Sequence, residues 1–357
     1  MLPWRFENMK IAVIGAGLAG RQHIQVIQNN KMCELDFIVD PSNESIEFCK
    51  NNGFSHFSNV TEALMTQIPD GAIIATPNSI HVENALDFID RGIPILVEKP
   101  LSSDSESALS LVQCAKKKNV HLLTGHHRRH NKIIREAKDT IDSGQLGRLV
   151  TSHSMCWLFK PNDYFNSWRK SISGGPVLIN LTHDIDLMRY LIGEIESVHS
   201  FESNANRKGK VEDSAVVSLR FKNGTIGTLS ISDTIVAPWS WEHTSGENPI
   251  YPNQKESCYW IGGTHGSLEL PKLKSWKSLN ERSWWEPIQS NQSPTDNNIN
   301  QPLSAQLNNF ISVVQGKEEP VCSGEDGLKT LLVIEAIKLS AKIGKAVKPK
   351  NPELKCF

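Results

Sequence analysis

What most restricts the fold of this chain is a strand, a glycine-rich turn and a helix in immediate succession near its start. An apolar run of strand length, KIAVI at residues 10–14, passes directly into Gly15-Ala16-Gly17-Leu18-Ala19-Gly20, and a helical pattern follows to about Asn30. That order opens a crossover unit, which returns the chain to a sheet of parallel strands. The alternation then repeats. Short apolar runs at residues 35–39, 71–77, 95–100 and 120–125, with a short segment around 54–57, alternate with helical patterns at about 42–51, 61–67, 80–91 and 102–119. Thr61 reads as the cap of the helix that ends before Pro69. Strands that are apolar throughout are covered on both faces. About six of them fit before residue 125, enough for a complete doubly wound sheet.

Past Gly125 the rhythm changes. A helix at about 132–143 leads to strand-like segments at 149–156, 198–202, 211–221, 225–233, 259–262 and 266–270, with one helix at about 177–191 among them. The period-two alternation and Asn-Gly turn of SLRFKNGTIGTLSIS belong to antiparallel pairs. This half is expected to be an α+β domain on a large, open, mostly antiparallel sheet. Residues 235–300, rich in Trp, Pro, Ser and Asn and holding tryptophans 239, 241, 260, 284 and 285, are expected to form long surface loops over a cleft or a neighbour. Helices at about 302–315 and 327–343 close the chain. At 357 residues the chain exceeds one ordinary core, so two domains are expected, 1–125 and 126–357, with the C-terminal helix a candidate to pack back on the first.

Composition removes several function classes. A net charge of −1, from 38 basic and 39 acidic residues, gives no nucleic-acid footprint. The apolar runs are too short to span a bilayer, and no signal-type apolar core precedes the first strand, so a cytoplasmic location without membrane partners is expected. The cysteines, at 33, 49, 114, 156, 258, 322 and 356, never form C-x-x-C and read as reduced thiols, none of them catalytic.

The glycines match G-x-G-x-x-G, and an acidic residue, Asp40, lies twenty positions past Gly20 at the end of the second strand. Strand, turn, helix and acid together are the fingerprint of a Rossmann dinucleotide site. Gly15 permits the tight turn, Gly17 lets the backbone approach a pyrophosphate, and Gly20 allows close helix–strand packing. The helix N-terminus, with Leu18 and Ala19 in its first turn, offers N–H groups and a positive dipole end to phosphates. Asp40 would accept from ribose hydroxyls. A carboxylate repels a 2′-phosphate, and Pro41, Ser42 and Asn43 bring no arginine, which favours NAD over NADP.

Four further segments carry more information: ATPNSIH at 75–81, EKP at 98–100, GHHRRH at 125–130 and GGPVLINLTHDIDLMRYLIGE at 174–194. On these the chain resembles the Gfo/Idh/MocA family over nearly its whole length. The resemblance implies a Rossmann domain followed by an α/β domain whose open sheet often serves oligomerisation, hence a homodimer or homotetramer. It also implies an active site between the domains and reversible hydride transfer between a sugar or polyol carbinol and nicotinamide C4. The residues agree. Thr76-Pro77-Asn78, with His81 behind them, and Glu98-Lys99-Pro100 fall at carboxyl ends of expected parallel strands, where ligands bind in this fold. Lys99 is placed to stabilise alkoxide charge.

Oxidising an alcohol needs a proton acceptor, a role that histidine fills at neutral pH. The resemblance places this histidine at His183 and a substrate-contacting acid at Asp186, three residues on and so on the same helical face. Many family members carry an aspartate four residues before the histidine; here that position is Ile179, with Asn180 next to it as a holder of a sugar hydroxyl. His127 and Arg128 are candidates for substrate hydroxyls, Arg129 for a structural ion pair. Lys160-Pro161 and Trp168-Arg169 are candidates for the substrate entrance. A metal site on His183, Asp184 and Asp186 lacks a third well-spaced His or Cys. The leading reading is an NAD-dependent dehydrogenase acting on an inositol, sugar or sugar acid. The alternatives are a redox-assisted lyase, epimerase or glycosidase with tightly held NAD, and a non-catalytic NAD-binding sensor.

Overall fold

The computed structural model describes residues 8–165, 175–292 and 301–350; Trp168, Arg169, Gly174 and Cys356 lie outside them. The described residues form two compact units, one from the chain up to His127 with Leu303–Leu331, the other from Arg128–Pro302 with Leu332–Lys350.

In the first unit β1 (Met9–Ile14), β2 (Cys33–Val39), β3 (His56–Phe57), β4 (Gly71–Ile74), β5 (Ile95–Val97) and β6 (Leu122–Thr124) alternate with α1 (Leu18–Gln28), α2 (Asn43–Asn52), α3 (Val60–Thr66), α4 (His81–Ile89) and α5 (Ser105–Lys118). All strand pairs are parallel, in the order β3-β2-β1-β4-β5-β6. The order reverses between β1 and β4, and a doubly wound sheet opens its ligand crevice at the carboxyl ends of the strands beside such a reversal. Side-chain caps start three of the helices. Ser42 accepts the Ser45 N–H, Asn59 the Glu62 N–H and Asp104 the Ser107 N–H. Asn59 thus takes the capping role that the sequence suggested for Thr61: the chain turns helical two residues earlier, and an Asn oxygen serves the exposed amide as well as a Thr hydroxyl does.

The second unit begins with a 3-10 turn that the first unit's His127 opens and His130 closes, then α6 (Lys132–Asp142) and β7 (Leu149–Trp157). A π-helical turn, Val177–Leu181, leads into α7 (Thr182–Ile192), followed by β8 (Ile195–Ser203), β9 (Ser214–Phe221), β10 (Ile226–Ser232) and the short α8 (Trp241–Thr244). Then come β11 (Tyr259–Gly263), β12 (Ser267–Leu270), β13 (Lys274–Ser278) and β14 (Ile288–Gln292). The eight strands lie in the order β14-β13-β12-β11-β7-β10-β9-β8, antiparallel except for β7 beside β10. Alternation sorts the faces: Ala215, Val217, Leu219 and Phe221 of β9 enter the core, while Val216, Ser218 and Arg220 lie on the open face.

β13 and β14 are strands in a stretch, past residue 270, where long surface loops were expected. Every residue of β14 is exposed, so that strand shows no alternation for a sequence reading to find. Trp241 is another correction: it is 1% exposed and stacks on Tyr259 with ring centroids 5.7 Å apart, so it belongs to the core. Trp284 and Trp285 are exposed as expected.

Two helices close the chain, α9 (Pro302–Val314) and α10 (Gly324–Ile343). Leu307, Phe310 and Ile311 of α9 join Ile11, Val13, Ile73 and Leu96 in the first unit's core. Val333, Ile334, Ala336 and Ile337 of α10 join the second unit's. Among the described residues no helix is long and apolar enough to cross a membrane. The six described cysteines are free thiols, five of them buried.

Candidate active site

The three glycines of the first turn meet different demands. Gly15 has φ +95°, and a Cβ there would lie 2.6 Å from the Ala75 carbonyl oxygen. A Cβ on Gly20 would lie 1.9 Å from the Gly15 oxygen, so the packing of α1 on the turn requires glycine. Gly17 is different. Its φ is −71° and nothing lies within 4 Å of a Cβ there. The protein's own packing therefore leaves Gly17 open, as a cradle for a close-lying pyrophosphate would be. The helix behind it has no side-chain cap, which leaves its first N–H groups facing the same opening.

Asp40 completes this corner. Its Oδ2 accepts the Ala16 N–H at 2.8 Å, and its Oδ1 accepts the Ser42 N–H at 2.9 Å and hydroxyl at 2.6 Å. Burial pushes its pKa up, but the bonds from Ser42 and Ala16 outweigh that and hold it below the usual carboxylate value. The acid is thus charged and fits a ribose diol. An arginine does reach this corner, from α1 rather than from the residues after Asp40. Arg21 donates to the Ala16 carbonyl at 3.0 Å, pairs with Glu44 at 2.8 Å and lies over the Phe48 ring. Its charge is already matched by Glu44. The donor set fits NAD.

At the carboxyl ends of β4 and β5 lie Thr76-Pro77-Asn78 and the Lys99-Pro100 turn, whose peptide bond is cis. His81, a candidate cofactor contact by sequence, is 1% exposed and turned inward. Its Nε2 lies 2.8 Å from the Thr76 carbonyl oxygen and its Nδ1 3.0 Å from that of Pro100, so it clamps the two loops together. Burial lowers its pKa, while the carbonyls and Glu98 pull the other way. Glu98 is also a positioning residue. Its Oε1 accepts from His23 Nε2 at 2.8 Å and its Oε2 from the Lys99 N–H at 3.1 Å. Burial pushes the carboxyl up, but His23, His127 and Lys99 outweigh it and hold the pKa at about 2. His23, eight residues past Gly15, escaped the sequence reading because its partner is 75 positions away.

In the second unit His183 lies in the first turn of α7, 7% exposed. The π-helical turn before it replaces the single helix expected from residue 177; such turns recur where a helix is adapted to function. Asn180, in that turn, accepts from Lys160 Nζ at 2.5 Å. Asp186 is placed otherwise than expected. Its two oxygens accept from Arg129 Nε at 2.8 Å and Nη2 at 2.7 Å, a buried fork-to-carboxylate pair. Sharing a helix face with His183 could not reveal this competing guanidinium. Arg129 is the structural ion pair that the sequence suggested.

Arg128, a candidate for a substrate hydroxyl, is 5% exposed and donates to Glu242 at 2.8 Å. It forms a core charge cluster instead. Asp184 belongs to the same cluster and accepts the Tyr259 hydroxyl. Burial, with Glu242 beside it, raises the Asp184 pKa to about 7 against the pull of Arg128.

Comparison with known proteins places this architecture. The model of the oxidoreductase family's NAD-binding Rossmann fold matches residues 9–126, and that of its C-terminal alpha/beta domain matches 138–348. The rhizopine catabolism protein MocA of Rhizobium meliloti is 25% identical over 346 residues, which cover 95% of this chain and 98% of that protein. Myo-inositol 2-dehydrogenase of Thermotoga maritima is 26% identical over 355 residues, again 95% of this chain and 98% of the relative. Among solved structures, the WlbA dehydrogenase of Bordetella pertussis, in complex with NADH and UDP-GlcNAcA, has a TM-score of 0.77 at 22% identity, covering 96% of this chain and 99% of its own, and so shares the fold. With both family models matched in order along its length, the chain belongs to the Gfo/Idh/MocA family of oxidoreductases, as a protein with an NAD-binding Rossmann domain and the family's C-terminal α/β domain.

Proposed function

We propose that this oxidoreductase is a dehydrogenase that oxidises a carbinol of a sugar, sugar acid or inositol, with Lys99 and His183 as its catalytic residues. Bound NAD supplies a hydride acceptor at nicotinamide C4. His183 takes the hydroxyl proton and Lys99 stabilises the negative charge that develops on the carbinol oxygen. The observation that carries this reading is the support built behind Lys99. The Glu98 carboxylate holds the Lys99 N–H from one side, and His81 holds the Pro100 carbonyl from the other. A buried imidazole and a largely buried carboxylate behind one half-buried turn suit a lysine that must act at a fixed position. The relative named an inositol 2-dehydrogenase supports the substrate class. Asp40 supports NAD over NADP.

The test is a reduction screen with NAD and NADP against inositols, hexoses and uronic acids, alongside Lys99→Ala and His183→Ala. Normal NAD binding with no reduction by any of them would end the dehydrogenase reading. A second reading, a redox-assisted lyase, epimerase or glycosidase, is favoured by Ile179 standing where many relatives have an aspartate. Co-purified nucleotide with turnover and no net NADH would select it. We also propose assembly as a homodimer or homotetramer, since Phe201, Val216 and Ile226 are exposed on the sheet's open face. Light scattering would decide this.

A further inference from the structure

The chemistry above leaves Lys160 without a task. It follows β7, is 5% exposed, and its ammonium donates to Asn180 Oδ1 at 2.5 Å and lies 4.9 Å from the centre of the Tyr164 ring. An amide oxygen and an aromatic face satisfy a donor and polarise towards a cation, but they do not neutralise it. Among the described residues no carboxylate forms an ion pair with Lys160, and the nearby acids are engaged. Asp233 accepts from Arg207 at 2.7 Å, and Glu212 accepts from Lys338 at 2.6 Å and from the Val177 N–H at 3.0 Å. Asp233 offsets the Lys160 charge only in part, since it already pairs with Arg207, and a buried charge so incompletely matched can be met by an arriving anion.

The position of this cation gives the anion its meaning. Asn180 lies three residues before His183 on the continuous helical run from Val177 to Ile192. With its oxygen turned to Lys160, the Asn180 amide has its nitrogen left to donate, and the residue is only half-buried, so the pair can be reached from that side. An ammonium and an amide N–H side by side match the two oxygens of one carboxylate.

We infer that Lys160 and Asn180 form a carboxylate subsite beside His183, which makes the substrate a sugar acid, an aldonate or uronate, rather than a neutral polyol. The inference rests on the dehydrogenase reading and narrows it. Asn180 is then a determinant of specificity. Its amide leaves the Lys160 charge for the substrate, whereas an aspartate there would consume it.

The experiment compares kcat/KM for matched pairs, D-glucuronate with D-glucose and D-galactonate with D-galactose, in the NAD-loaded wild type and in Asn180→Asp, Lys160→Met and Lys160→Arg. The wild type is expected to prefer the acids by roughly tenfold or more, the scale of one charge-assisted hydrogen bond. Asn180→Asp and Lys160→Met should each cut that preference by roughly 10- to 100-fold through the KM of the acid, and Lys160→Arg should retain most of it. Asn180→Asp carries the test even if Lys160→Met does not fold, because it adds an internal partner for the lysine. Equal or better turnover of the neutral sugars by the wild type, or equal losses on acid and neutral sugar in Asn180→Asp, would overturn the subsite and leave the dehydrogenase standing. No reduction of NAD by these sugars or by any inositol, hexose or uronic acid of the wider screen would instead remove the dehydrogenase reading, and the subsite with it.

Discussion

The nucleotide turn of the first unit and the histidine helix of the second are made from different material. The turn is backbone: Gly15 and Gly20 are fixed by contacts with main-chain atoms, and Gly17 by the space in front of it. The histidine helix is surrounded by side-chain charge: Arg129 on Asp186, Arg128 on Glu242, and Tyr259 on Asp184. A site made of backbone is written locally, because the residues that allow its conformation are neighbours in sequence. A site made of buried charges is written at long range, since those three pairs are separated by 57, 114 and 75 positions.

The two regions should differ most at the reacting groups. His183→Ala is expected to lower kcat by about 10²- to 10⁴-fold, the usual worth of a general base, with NAD affinity unchanged in a binding titration. Loss of NAD binding in that variant would place His183 with the nucleotide site instead. Next in size is the charge network. Asp186→Asn removes the carboxylate charge that faces the buried Arg129 guanidinium and should cost about 3–5 kcal/mol in denaturant unfolding. By contrast, breaking the exposed Arg21–Glu44 pair with Glu44→Gln should cost about 1 kcal/mol or less. Similar losses in the two variants would erase the distinction between the regions.

A third variant isolates the backbone cradle. Gly17→Ala meets no protein atom within 4 Å, so its melting temperature should match the wild type while its NAD affinity falls roughly tenfold or more. Lost stability would mean that the glycine serves the fold instead.

The two units should also respond to pH with opposite sign. Glu98 titrates at about 2 when folded against a usual 4.5, so it contributes stability above pH 4.5 that is lost as pH falls towards 2. Asp184 titrates at about 7 against a usual 3.8, so its contribution is present below pH 3.8 and is lost as pH rises through 7. Unfolding free energies measured across this range should show a flattened acid side in Glu98→Gln. Asp184→Asn should flatten the slope between the two Asp184 values.

The same contrast explains what could be read in advance. The six parallel strands, the fingerprint glycines, Asp40 and the His183 helix all follow from local pattern. β14 could not be read, because a strand exposed on both faces has no hydrophobic period. Nor could the engagement of Asp186 by Arg129 or of Arg128 by Glu242, since sequence spacing reports which residues share a helix face and not which distant group competes for them. His23 was missed, and Lys160 was read only as part of a substrate entrance, for the same reason. Each acquires its role from a partner, Glu98 or Asn180, brought near by the fold.

His81 draws one more consequence from such partnerships. Its ring faces two carbonyl oxygens, and a neutral imidazole has a single N–H to give. Thr76 and Pro100 therefore compete for one proton unless the ring is charged, and whatever satisfies one loop withdraws support from the other. The loops after β4 and β5 are chemically bound to a shared account of donors. A substitution in the Thr76 loop should thus be felt at the Lys99 turn, through a residue that is 1% exposed.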